Sequence, residues 1–261
     1  MLNYLKSEFY RTVRSDEIHG TLIGLLFLVL LMNVTLGLMK NVEHFRYGIT
    51  SFSYSMIVSV PMLYCYVASA VAVMLYESDR RRGTLGNSIA CGFSRIQLLA
   101  GKCIACLVTS LVLLAIVLPV YIGSAVLLLN PAGPTMVQDM LWEIPAMSLI
   151  TIASQILAVI LLELFEKDSY SILVWLTVML FLPKLFLMGG MILPFGSGPI
   201  MDIAMWMPAN FLTAGTRVTM SECVTLWSSA EGMARCLVSG AAGILIFSGA
   251  GVFLLRKKDL S

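Results

Sequence analysis

Residues 103–129 read CIACLVTSLVLLAIVLPVYIGSAVLLL, and no charged side chain interrupts them. A helix of about 20 apolar residues crosses the hydrocarbon core of a bilayer. This stretch is long enough to do so, and it lacks the polar stripe that a soluble surface helix keeps. Its apolar residues run on continuously instead of alternating, which excludes a strand of a membrane barrel. In lipid the backbone must satisfy its own hydrogen bonds, so the stretch is a helix. Five further windows have the same character, at 18–39, 54–76, 142–164, 171–193 and 233–255. The reading is an all-α membrane protein with six transmembrane helices.

Composition agrees. Of 261 residues 59% are hydrophobic and 12% charged, and the mean hydropathy is +0.90. A soluble domain is about 25% charged, so an ordinary cytosolic enzyme and a disordered chain are both excluded. The net charge of +2 gives no footprint for nucleic acid. Six cysteines are scattered through apolar stretches, unlike the dense framework of a small secreted domain. The first apolar run exceeds a typical signal-peptide core and lacks a small-residue exit, so it reads as a retained span.

Basic residues orient the spans. With the N-terminus inside, the inner segments hold Lys6, Arg11, Arg14, Arg80, Arg81, Arg82, Arg95, Lys102, Lys167, Arg256, Lys257 and Lys258. The outer segments hold Lys40, Arg46, Arg217 and Arg235, and Lys184 lies within a span. The imbalance predicts a multi-pass protein of the cell membrane with both termini cytoplasmic.

Outside the spans, residues 1–17 carry Leu2, Leu5, Phe9 and Val13 at helical spacing among charged neighbours. They predict an interfacial helix on the inner surface. The outer segment 194–232 is half apolar, broken by Gly196, Gly198, Pro199 and Pro208. Its apolar pieces are too short to cross lipid and predict short re-entrant helices, with Trp206 and Phe211 as an outer gate. The inner segment 77–102 contains Glu77, Arg80-Arg81-Arg82-Gly83-Thr84-Leu85, Gly92-Phe93-Ser94-Arg95 and Gly101-Lys102. Leu85, Ile89, Phe93 and Ile96 fall at i, i+4, i+8 and i+11, which predicts an apolar stripe on a helix within 80–97. Gly83 ends the preceding helix and Thr84 is placed to cap the next one. Arg82 and Arg95 flank the stripe. A plain topology-setting loop explains the arginines but not the amphipathic turn.

The pattern Glu77, Gly83-Thr84-Leu85, Ser94-Arg95 and Gly101-Lys102 resembles the permease subunits of type-2 ABC exporters, the ABC-2 membrane protein family. Six spans, the N-terminal interfacial helix, the semi-apolar loop before the last span and the ending Leu254-Leu255-Arg256-Lys257-Lys258 extend the likeness over the whole chain. One departure is the very short 166–168 loop. The resemblance implies a transport subunit, not an enzyme. Its segment 80–97 would be a coupling helix docking on a separate ABC ATPase, with Glu77, Arg82, Gly83, Thr84, Leu85, Ile89, Phe93, Ser94, Arg95 and Lys102 as the contact set. Two ATPase copies and a second permease chain, identical or homologous, would complete the unit. No cofactor is expected on this chain; ATP and magnesium belong to the partner, because Gly101-Lys102-Cys103 lacks the spacing and hydroxyl of a phosphate loop.

Asn33, Gln155 and Lys184 are the candidate pathway residues, with interhelical hydrogen bonding and snorkelling as the plainer explanations. Cys223 and Cys236 form the outer cysteine pair. Cys103 and Cys106 lack a second pair of metal ligands, and no catalytic or metal residue is expected. The cargo implied is apolar or amphipathic, an antimicrobial peptide or drug. Lipid or lipid-linked glycan export and a non-transporting scaffold for an ATPase are the alternatives.

Overall fold

The computed structural model describes residues 2–82, 95–165, 167–192 and 198–259. Eleven α-helices are described: α1 (Leu2–Val13), α2 (Asp16–Met39), α3 (Thr50–Val58), α4 (Leu63–Arg82), α5 (Arg95–Leu128), α6 (Val137–Leu164), α7 (Asp168–Leu176), α8 (Leu182–Ile192), α9 (Pro199–Trp206), α10 (Pro208–Gly215) and α11 (Ala230–Asp259). Five stretches are long and apolar enough to cross a membrane: Asp16–Met39, Ile96–Leu128, Val137–Leu164, Asp168–Ile192 and Ala230–Leu255. The bent pair α3 and α4 makes a sixth if the two are taken as one span.

That sixth span corrects the expected straight helix at 54–76. Its two pieces meet at 63°. Pro61 has no N–H to offer the carbonyl of Ile57, and its ring crowds that carbonyl. The Ile57 oxygen accepts instead from Val60 N at 2.9 Å, which closes the turn. A second proline acts more gently. Between α7 and α8 the chain runs as a π-helical turn, Thr177–Phe181, and Leu182 N–H donates to Thr177 O. Widening the turn just before Pro183 accommodates the proline without breaking the span.

The bundle is organised around α6, whose buried face runs from Met140 to Leu162 and which packs against α4, α5, α7 and α11. Lipid tails are as apolar as leucine, so burial alone does not hold spanning helices together; close packing and polar contacts do. The α6–α11 seam illustrates this. A Cβ on Gly240 would stand 2.5 Å from Leu149 Cβ and 2.6 Å from Ile150 N, and one on Gly243 would meet Ala153 Cβ at 3.0 Å. The two backbones touch because these positions have no side chain.

The connections assigned to the inner side by the charge count gather at one end of the bundle. There Arg80 on α4 pairs with Asp168 and donates to the carbonyls of Leu162 and of Phe165, the latter at 2.5 Å, tying α4 to the α6–α7 corner. At the other end Lys40 Nζ donates to Leu128 O at 3.0 Å, and Thr50 N donates to Asn130 O at 3.0 Å. The segment before α11 adds one feature the all-helical expectation lacks. Arg217–Val218 pairs antiparallel with Cys223–Val224 across a tight turn in which Thr219 N donates to Glu222 O at 2.8 Å. A two-residue hairpin arm is too short to show as a period-two pattern.

Candidate functional site

The N-terminal helix ends at Val13, short of the expected 17, and turns an unexpected face to the bundle. Tyr4, Glu8 and Thr12 are buried, at i, i+4 and i+8, whereas Val13 of the apolar stripe is exposed. The buried face is the polar one because it completes an ion cluster. Glu8 and Arg11 of α1, Asp79 of α4 and Lys102 of α5 meet: Arg11 lies 2.6 Å from Glu8 and 2.6 Å from Asp79, and Lys102 lies 2.7 Å from Glu8 and pairs with Asp79 as well. The Lys102 Nζ also sits 5.7 Å from the centre of the Tyr76 ring. The Tyr4 ring lies directly on Gly101, where a Cβ would collide with it. Burial and the Glu8 carboxylate hold the Tyr4 phenol well above its ordinary range.

Lys102 was expected in the ATPase contact set. At 1% exposure it instead forms the centre of this joint, and it reaches a partner only through the helices it ties together. Glu77 lies on the wall of a cavity of about 400 Å³ between α4, α6 and α7. Of the expected coupling helix at 80–97, residues 80–82 continue α4 and 95–97 begin α5. Gly83, Thr84, Leu85, Ile89, Phe93 and Ser94 lie outside the described residues, as do the side chains of Arg82 and Arg95.

A second cavity, about 500 Å³, opens between α2, α4, α5 and α6. Its wall includes the exposed Leu28 and Leu111. Gln155 lines it but is committed, donating to Ala68 O at 3.1 Å and Ser110 Oγ at 3.0 Å. Asn33 is fully buried and likewise committed. It donates to Ser124 Oγ at 2.7 Å and Tyr121 O at 3.2 Å, and accepts from Ser53 Oγ at 2.7 Å, joining α2, α3 and α5. These two amides are interhelical fasteners. Lys184 stands on the exposed face of α8, next to the exposed Leu185, so it points away from both cavities. Its flexible stem suits snorkelling and not a pathway.

At the far end Trp206 is half-exposed and Phe211 is buried. They are brought together by Arg235 of α11, whose guanidinium lies 5.3 Å from the Trp206 ring and 5.0 Å from the Phe211 ring and donates to Met205 O. Asn210 Nδ2 donates to Pro183 O at 2.8 Å and Ala204 O at 2.9 Å, fixing α10 on α8 and α9. Cys223 and Cys236 are both free thiols; Cys223 Sγ donates to Asp139 Oδ2 at 3.8 Å.

Glu8, Asp79, Glu143 and Arg235 are the residues that sequence reasoning missed as site members. Glu143 was readable: it is an acid inside an apolar window, which is costly unless it serves a purpose. The pairing of Glu8 with Lys102, far apart in sequence, was not. Together the geometry offers a binding volume in the bundle and a rigid ionic joint at one end. No protein-family model matches the chain, and no curated protein and no solved structure matches it either.

Proposed function

We propose that the chain is the membrane permease subunit of an ATP-driven exporter of the type-2 ABC kind. In this reading it lies in the cell membrane with both termini cytoplasmic and moves an apolar or amphipathic cargo, an antimicrobial peptide or a drug. Two copies of a separate ABC ATPase bind ATP and magnesium, and a second permease chain completes the unit. The 80–97 segment carries the docking contact, with Phe93 as its anchor, as in helix-in-groove recognition.

One observation supports this most. The ion cluster clamps α4 and α5, the two helices that bracket residues 83–94, to each other and to α1. A push on that segment therefore reaches two spans through a stiff charged joint instead of dissipating in a loop. The wide apolar cavity between the same two helices and α2 and α6 supplies a volume for that motion to change.

The test is co-purification with a co-expressed candidate ABC ATPase from the same cells. Phe93→Ala is expected to weaken the complex by about 2 kcal/mol or more, as an interface hot spot does. A cysteine at Ser94 should cross-link to the ATPase. Unchanged binding together with no cross-link from any position in 84–96 overturns the docking assignment. Stimulation of the bound ATPase by cargo separates an exporter from a scaffold.

A further inference from the structure

Glu143 is the least explained polar group in the bundle. It lies nearly two turns inside the start of α6, its exposure is 0%, and neither carboxyl oxygen has a hydrogen-bond partner. An unpaired carboxylate is costly to enclose even in a protein interior, and more so among apolar spans. Among the described residues, the cations nearest it in depth are turned elsewhere. Arg235 sits at a comparable depth, since Gly240, a turn further along α11, touches Leu149 and Ile150 of α6. Its guanidinium is turned to Met205 O and the Trp206 and Phe211 rings, and its buried Nε has no hydrogen-bond partner. Lys40 is spent on Leu128 O. Asp139, the next acid along α6, is occupied by Met136 N at 2.8 Å.

The larger cavity ends one residue from Glu143, which is not itself on its wall. Ile144 and Met147, the next residue and the one a turn on, both line it. So does Tyr64, whose hydroxyl is a second buried group without a partner and lies within electrostatic reach of Glu143. The rest of the wall is apolar apart from hydroxyls and Gln155, which already have partners in the helices. A volume of about 500 Å³ falls within the range of sites for drug-sized molecules.

We propose that the cavity between α2, α4, α5 and α6 binds an amphipathic organic cation, its apolar body in the cavity and its ammonium group paired with Glu143 beside the Tyr64 hydroxyl. The charge selects the ligand. An anion would be repelled by Glu143, and a neutral apolar molecule would leave the acid as unanswered as it is now. A primary alkylamine stays protonated at pH 7, since a lysine-like amine titrates near 10.4, and supplies the donors the carboxyl lacks. Tyr64 closes the polar end and can accept one further N–H. The inference deepens the exporter reading by giving the cargo a charge, and rests on that reading only for the word cargo.

The experiment uses the full chain in phosphatidylcholine nanodiscs, without any ATPase, so that a failed result leaves the exporter reading standing. Two fluorescent probes are compared, ω-dansylamino-undecylamine and ω-dansylamino-undecanol, which differ in the ammonium group alone. Empty nanodiscs supply the background. The native chain should bind the amine at least about tenfold more tightly than the alcohol, the scale of a desolvated charge pair. Glu143→Gln should bring the two probes to the same affinity. Leu111→Trp, at an exposed position on the cavity wall, should weaken both. Equal affinities in the native chain show a neutral, merely enclosed carboxyl and overturn the proposal. Binding of both probes unaltered by Leu111→Trp overturns the choice of cavity. If Glu143→Gln does not assemble, the native comparison and Leu111→Trp still decide.

Discussion

Replacing Lys102 with methionine should cost about 3 kcal/mol of folding stability, the low end of what breaking a buried ion pair costs. The figure follows from the burial of the partners. Glu8 is 4% exposed, Asp79 is 2% and Lys102 is 1%. Of the described groups, two carboxylates face two cations, and methionine fills nearly the volume of lysine, so the loss is one charge and not a cavity. It stays at the low end because Arg11 still touches both acids at 2.6 Å and, at 26% side-chain exposure, keeps contact with water. The diagnostic variant is the double one. In the Lys102→Met background, Glu8→Gln removes the surplus negative charge and should restore stability by about 1–3 kcal/mol, the range of coupling between residues in one network. In the native background the same Glu8→Gln should destabilise. The assay is reversible unfolding in mixed micelles titrated with dodecyl sulfate, followed by helical circular dichroism. A loss under about 1 kcal/mol for Lys102→Met, or a Glu8→Gln effect of the same sign in both backgrounds, refutes the argument that charge balance holds α1 on the bundle.

Two glycines of α11 should respond in opposite directions to alanine. Gly240→Ala should destabilise by about 1–2 kcal/mol, because its Cβ meets Leu149 and Ile150 at 2.5–2.6 Å and overpacking outweighs the gain in helix propensity. Gly249→Ala, with nothing within 4 Å, should stabilise by up to about 1 kcal/mol in the same titration. Arg235→Met should release α9 and α10, read as faster amide exchange over 199–215 and easier quenching of Trp206; unchanged exchange removes the clamp. The fourth concerns pH. The folded Tyr4 phenol keeps its proton beyond the ordinary 10.0 because burial and Glu8 oppose the phenolate. Above that pH the unfolded chain loses the proton first, so stability falls as pH rises. Tyr4→Phe should flatten that limb, and an identical slope counts against the cause.

The spans were legible because lipid imposes a one-body condition: each helix must be apolar over its own length, whatever its neighbours do. Five windows lie inside the observed helices, to within a residue, for that reason. What failed were features decided by two bodies or by a single backbone atom. Pro61 was in plain view within the window 54–76, but hydropathy does not register a missing N–H. The Gly101-Lys102 pair at the end of the inner segment suggests a partner contact for Lys102. Its role appears only when Glu8 and Asp79, from two other helices, come within reach. Lys184 erred in the opposite sense, since a charge within a span suggests an interior site, and helix rotation turned it outward.

The amphipathic reading of α1 makes the same point and yields a consequence for coupling. Leu5, Phe9 and Val13 lie off the buried face, which is Tyr4, Glu8 and Thr12. The two faces need not compete. A helix that lies at a membrane surface with its apolar stripe toward lipid still has a flank to offer its own bundle, and there a cluster of ions is tolerable only if its charges are paired. The cluster then makes the position of α1 depend on α4 and α5 together: separating those helices would pull Asp79 from Lys102, and α1 could then keep Arg11 on Asp79 or Glu8 on Lys102 but not both. An opening between α4 and α5 is also an opening of the larger cavity, whose wall they share. The joint thus opposes unprompted opening of the cavity at its foot, and force from a docked partner between the two helices would have to overcome it.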